Sequence, residues 1–102
     1  MGGNASVFLR QLIDIYLEET PLLVQTLIIS MSQADGTAIK QAAHTLKSSS
    51  ASLGAMGFSQ LCQKLERLEE SGMTTEIQNL LTQLQSEYER VKTALQLERQ
   101  RT

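Results

Sequence analysis

Residues 75–100 read TEIQNLLTQLQSEYERVKTALQLERQ. Within them Ile77, Leu81, Leu84, Tyr88, Val91 and Leu95 recur in steps of four and three, a heptad-like seam along one helix of about 75–100. A helix with one apolar stripe must lie against other helices. Thr74 or Thr75 can cap its start, and Thr75-x-x-Gln78 fits a capping box. Just upstream, Gly72 stops a third helical stretch of about 58–71, whose inward residues are Phe58, Leu61, Cys62, Leu65 and Leu68. Before that, a second stretch starts at the turn Ala34-Asp35-Gly36, with Asp35 or Thr37 as cap, and ends at Gly54-Ala55-Met56-Gly57. Its inward stripe is Ile39, Ala42, Ala43, Leu46, Ser50 and Leu53. The first stretch runs from about Asn4 or Ala5 to Gln33, with Asn4 as cap. Phe8, Leu12, Ile15 or Tyr16, Leu23, Leu27 and Met31 form its expected apolar face. Pro21 predicts a kink or a short break there, or Thr20-Pro21 as the cap and first position of a new helix. No strand-like alternation and no internal repeat occurs. Short connections between amphipathic helices predict an all-α, antiparallel up-down four-helix bundle. It forms a single domain over residues 4–100, with residues 1–3 as a domain cut or flexible start.

Composition narrows the function classes. At 102 residues the chain has room for one domain. Its single Cys allows no internal disulfide, and one His with one Cys cannot build a usual zinc site. The longest apolar run, near Leu22–Met31, is too short to span a bilayer. Met1-Gly2-Gly3 leads into no signal-peptide pattern, so the predicted compartment is the cytoplasm. The net charge of −2 is uneven: residues 37–65 carry Lys40, Lys47 and Lys64 and no acid, and the only His lies among them. Such a window attracts an anionic group or an acidic partner. Three lysines in an acidic chain make no basic stripe for nucleic acid.

His44 is the residue with chemistry. With Ile39, Ala43, Leu46, Ser50 and Leu53 inward, His44 falls off the stripe, on the face of Lys40, Lys47, Ser48 and Ala51. Small residues follow at one and two turns, and an ammonium lies beside the ring. The spacing predicts an exposed imidazole in a shallow clearing, open to a partner. The ordinary alternative is a surface histidine without a role.

The run His44-Thr45-Leu46-Lys47-Ser48-Ser49-Ser50-Ala51-Ser52-Leu53-Gly54 closely resembles the motif of histidine phosphotransfer (HPt) domains. That motif is His, any residue, Leu, Lys, usually Gly, small residues, then Leu-Gly. Ala42-Ala43, Leu61-Cys62-x-x-Leu65-Glu66 and Leu12-Ile13-x-x-Tyr16-Leu17-x-x-x-Pro21 also look like the family, so the resemblance covers about residues 5–97. Two departures stand out. Ser48 replaces the frequent Gly, and no counterpart appears of the short helix that often precedes the fold. The chain then reads as a domain of the kind found at the C-terminal end of hybrid sensor histidine kinases, or as one lacking that helix by nature.

The resemblance implies a four-helix phosphocarrier. His44 would accept a phosphoryl group on its outer ring nitrogen from a receiver-domain phospho-aspartate and pass it to another receiver. Lys47 would lie beside the phosphoryl group. Glu66 would hydrogen-bond the inner nitrogen, with Gln63 as substitute. Lys40, Gln41, Ser48 and Ala51 are expected to meet the receiver. No cofactor of its own is expected: the window around His44 has no carboxylate cluster for Mg²⁺, which the receiver would hold. With no P-loop or other nucleotide loop, the domain is expected to have no autonomous kinase or phosphatase activity. The expected state is a monomer without nucleic-acid or membrane contact. Cys62 reads as a core thiol. The competing reading is a helical adaptor or dimerisation bundle that binds a receiver or kinase without phosphotransfer. A hydrolase would need a second catalytic group beside His44, for which only Lys47 and Glu66 stand near.

Overall fold

The structure, a computed structural model, describes residues 2–67 and 75–101. They form α1 (Gly2–Ser32), α2 (Gly36–Ser52), α3 (Met56–Arg67) and α4 (Thr75–Arg101). The expected Leu68, the stop at Gly72 and the Thr74 cap lie outside the described residues, as does the side chain of Thr75.

The helix ends follow local chemistry. Asp35 caps α2, its carboxylate accepting from the Ala38 N–H at 3.1 Å. At the end of α1 the Asp35 N–H donates to the Ser30 carbonyl and the Ala34 N–H to the Met31 carbonyl, with Ala34 at φ 53°. The end of α2 repeats this pairing: the Ala55 N–H reaches the Ser50 carbonyl and the Gly54 N–H the Ala51 carbonyl, with Gly54 at φ 80°. Both are Schellman closures, and the second uses glycine where the left-handed backbone is free of strain. α1 starts at Gly2, so Asn4 sits inside the helix rather than at its cap. It continues across Pro21 as one helix, without a break or a new start at Thr20.

The helices pack in a ring, α1 on α2, α2 on α3, α3 on α4 and α4 on α1. Cross-contacts give the directions. Tyr16 of α1 meets Ser50 near the end of α2, and His44 of α2 meets Glu66 near the end of α3. Phe58 at the start of α3 stacks obliquely on Tyr88 of α4, their ring centres 5.9 Å apart. Asp14, in the first half of α1, pairs with Arg99 near the end of α4. Each neighbour therefore runs antiparallel to the last, giving an up-down bundle. Its core holds Ile13, Tyr16 and Leu27 of α1, the stripe Ile39, Ala42, Ala43 and Leu46, then Phe58, Cys62 and Leu65, and Ile77, Leu84 and Tyr88 of α4. Burial pushes the Cys62 thiol up to about 12, as for a core group.

The first half of α1 departs from expectation. Phe8 and Leu12 are exposed, and of Ile15 or Tyr16 it is Tyr16 that is buried, with Ile13 and Thr20 facing the core in place of the others. The helix is turned so that two polar residues, Thr20 and Ser30, sit inside. Tyr16 and Ser50 satisfy each other's hydroxyls at 2.8 Å, which lets a tyrosine occupy the α1–α2 seam without an unpaired polar atom. Leu12 and Ile15 lie level with Ser52 and Leu53, where α2 ends, so α1 before Leu12 has no α2 to cover it.

Candidate functional site

α2 presents the site. Its inner stripe turns His44 outward, with the side chain 62% exposed at mid-helix. Ala42 and Ala43 are buried just before it, so the ring stands on a closely packed base. α3 completes the site. Ser59 donates its hydroxyl to the Lys47 carbonyl at 3.0 Å, fixing the height of α3 against α2. Two turns further on, α3 delivers Glu66 to the side chains of His44 and Lys47.

Glu66 meets one side chain with each of its oxygens. Its Oε1 lies 3.0 Å from His44 Nδ1, and its Oε2 lies 2.8 Å from Lys47 Nζ. Lys47 first, and His44 second, hold the Glu66 carboxyl below its ordinary range. An ionised carboxylate only accepts, so His44 carries its proton on Nδ1 and donates it to Glu66. The Nε2 lone pair is then free and points away from Glu66. The ring is held in one tautomer and one direction, with its nucleophilic nitrogen on the open side.

The same lowering has a pH consequence. A group whose folded pKa is depressed stabilises the fold above its unfolded pKa and loses that contribution as pH falls through the folded value. Glu66→Gln is therefore expected to lower the melting midpoint relative to wild type at pH 7. That difference should shrink as pH falls from the ordinary glutamate range through the depressed Glu66 value. A difference independent of pH in paired thermal melts would refute the ionic account.

Lys40, Gln41, Ser48 and Ala51 are all exposed on α2 around His44, within two turns of it. Ser48 keeps the clearing small-sided, as glycine would. Gln63, the substitute for Glu66, is not the residue that meets His44. Among the described residues no group of three or more His, Cys, Asp or Glu side chains comes together as a metal site. No helix among them is long and apolar enough to cross a membrane.

Sequence reasoning missed the surface beside α2. Leu12, Ile15 and Glu19 of α1 form one wall of a shallow groove whose other wall is Thr45, Ser49 and Ser52. Phe8, Ile15, Leu22 and Ile29 are all exposed at a spacing of seven. The signal was present in the sequence, but a single apolar stripe was expected on α1 and the second was merged with it.

A protein-family model for the Hpt domain matches residues 11–94. A search of curated proteins found no match. Among solved structures, the crystal structure of histidine-containing phosphotransfer protein B (HptB) from Pseudomonas aeruginosa PAO1 superposes with a TM-score of 0.85 at 25% identity, covering 91% of this chain and 81% of that one. The family match spans all four helices and contains the α2–α3 site whole, so this chain belongs to the Hpt domain family.

Proposed function

We propose that this Hpt domain carries its phosphoryl group on His44 Nε2. The observation that carries the reading is the Nδ1–Glu66 hydrogen bond at 3.0 Å on a solvent-facing ring, which leaves Nε2 as the nucleophile. In the transfer, Nε2 attacks the phosphorus of a receiver's aspartyl phosphate. The Nε2–P bond forms, the P–O bond breaks, and the aspartate leaves as carboxylate. The positive charge left on the ring faces the Glu66 carboxylate. The reverse step onto a second receiver restores the neutral ring. Lys47, one turn along, supplies positive charge to the phosphoryl oxygens. Among the described residues the carboxylate at His44 is that of Glu66, which is committed to the ring and to Lys47, so Mg²⁺ is supplied by the receiver's acidic pocket. The domain therefore acts as a carrier and has no kinase or phosphatase activity by itself.

The partners are receiver domains of response regulators or of a hybrid kinase. Lys40, Gln41, Ser48 and Ala51 make the contact, with the α1–α2 groove as its apolar flank. The acid-free charge of α2 suits an acidic receiver surface. The α4 seam is used inside the bundle, which supports a monomer, and the setting is the cytoplasm. The test is incubation with radiolabelled phospho-receivers: acid-labile, base-stable label is expected on wild type. No label from a broad receiver panel would favour the adaptor reading.

A steric prediction accompanies it. Ala51→Trp fills the clearing two turns from His44 and is expected to slow transfer by about tenfold or more, with the melting midpoint unchanged. Stopped-flow transfer rates equal to wild type would remove Ala51 from the docking surface.

A further inference from the structure

We propose that Glu66 holds Lys47 in reserve, so that one carboxylate sets how strongly the domain retains its phosphoryl group as well as how His44 is oriented. The inference rests on the phosphocarrier reading above and concerns the step at which Lys47 changes partner. In the unloaded domain the Lys47 ammonium lies 2.8 Å from Oε2 of Glu66, while the ring of His44 takes Oε1 at 3.0 Å. Oε2 is closed to water and has no aligned hydrogen bond, so the ammonium is close to it without the geometry of a strong clasp. Its positive charge faces the carboxylate at that distance.

The two ring nitrogens point to opposite sides. An ammonium seated on the enclosed Oε2 belongs to the Nδ1 side, whereas phosphoryl oxygens on Nε2 project into solvent. Lys47 must leave Oε2 to meet them. Loading then exchanges one ion pair for another: Lys47 with Glu66 before, Lys47 with the phosphoryl group after. Glu66 remains with the ring proton. The carboxylate thus competes with the phosphoryl group for one ammonium, and this weakens retention. For a carrier that must release its load to a second receiver, a lysine that gave its whole charge to the phosphoryl group would hold it too well.

The contribution of the ring to the loaded state is common to both Lys47 and its replacement, so a double-mutant cycle isolates the competition. The measurement is the equilibrium ratio of label on the domain to label on a receiver that phosphorylates wild type. Lys47→Gln is expected to lower the ratio about threefold with Glu66 present. In the Glu66→Gln background it should lower it about thirtyfold, a coupling of about tenfold. Glu66→Ala is the second variant and should give the same coupling if glutamine disturbs the packing. Thermal melts confirm that each protein is folded. A Lys47→Gln effect of equal size in all backgrounds would overturn the proposal, since a Glu66 that only orients His44 changes rates without this coupling. A smaller effect without Glu66 would overturn it as well. Absence of label on wild type overturns the carrier reading itself, and this inference with it.

Discussion

His44→Gln is expected to abolish transfer, lowering label on the domain by about a thousandfold or more, while leaving the fold intact. Removing a nucleophile leaves no second group to take over its bond, and losses of this size follow. Among the described residues nothing at the site replaces it: Lys47 is paired with Glu66. The fold is insensitive because the side chain is mostly in solvent and makes one hydrogen bond, to Glu66. Surface changes of this kind shift stability by about 0.5 kcal/mol or less. Lys47–Glu66 and Ser59–Lys47 persist in the variant and keep α3 against α2. Circular dichroism melts and the label assay together decide the matter. Substantial acid-labile label on the variant would move the phosphoacceptor away from His44.

Phe58→Ala is expected to cost about 3–5 kcal/mol, which is much of the stability of a domain this small. Phe58 is fully buried at the first turn of α3 and tilts against Tyr88 of α4. Its loss leaves a cavity where α3 and α4 meet, in a core whose members are held in place by their helices. The melting midpoint should fall by about 15 °C or more. Chemical denaturation giving a loss below about 1 kcal/mol would show that the ring is not part of a packed core. Because α3 carries Glu66, the same variant should also loosen the hold on His44.

The inner face of α2 was legible from periodicity alone, because Ile39, Ala42, Ala43, Leu46 and Ser50 keep one stripe and the caps at Asp35 and Gly54 bound it. That stripe is what turns His44 outward. The α4 seam was legible for the same reason. The rotation of α1 was not: it carries apolar residues on two faces, and its core face includes Thr20 and Ser30, which hydropathy assigns to solvent. Tyr16 decides the rotation through a hydroxyl pairing with Ser50, a contact 34 residues away in sequence. Glu66 was expected at the ring from the family resemblance. Its second arm, on Lys47, depends on the height at which α3 lies along α2, which a contact from Ser59 to a backbone carbonyl sets and which no sequence period encodes.

The four helices differ greatly in length: α1 and α4 have 31 and 27 residues, α2 and α3 only 17 and 12. The molecule is 52 Å long but about 20 Å across, and α1 before Leu12 runs on past the end of α2. Protection against amide exchange will therefore be graded along the long axis. The start of α1, where none of residues 6–12 is buried, opens and closes without the rest, whereas the amides beneath His44 exchange only when the bundle as a whole comes apart. The His44 ring rides on the packed middle of the bundle, and its alignment is insulated from the breathing of the far end.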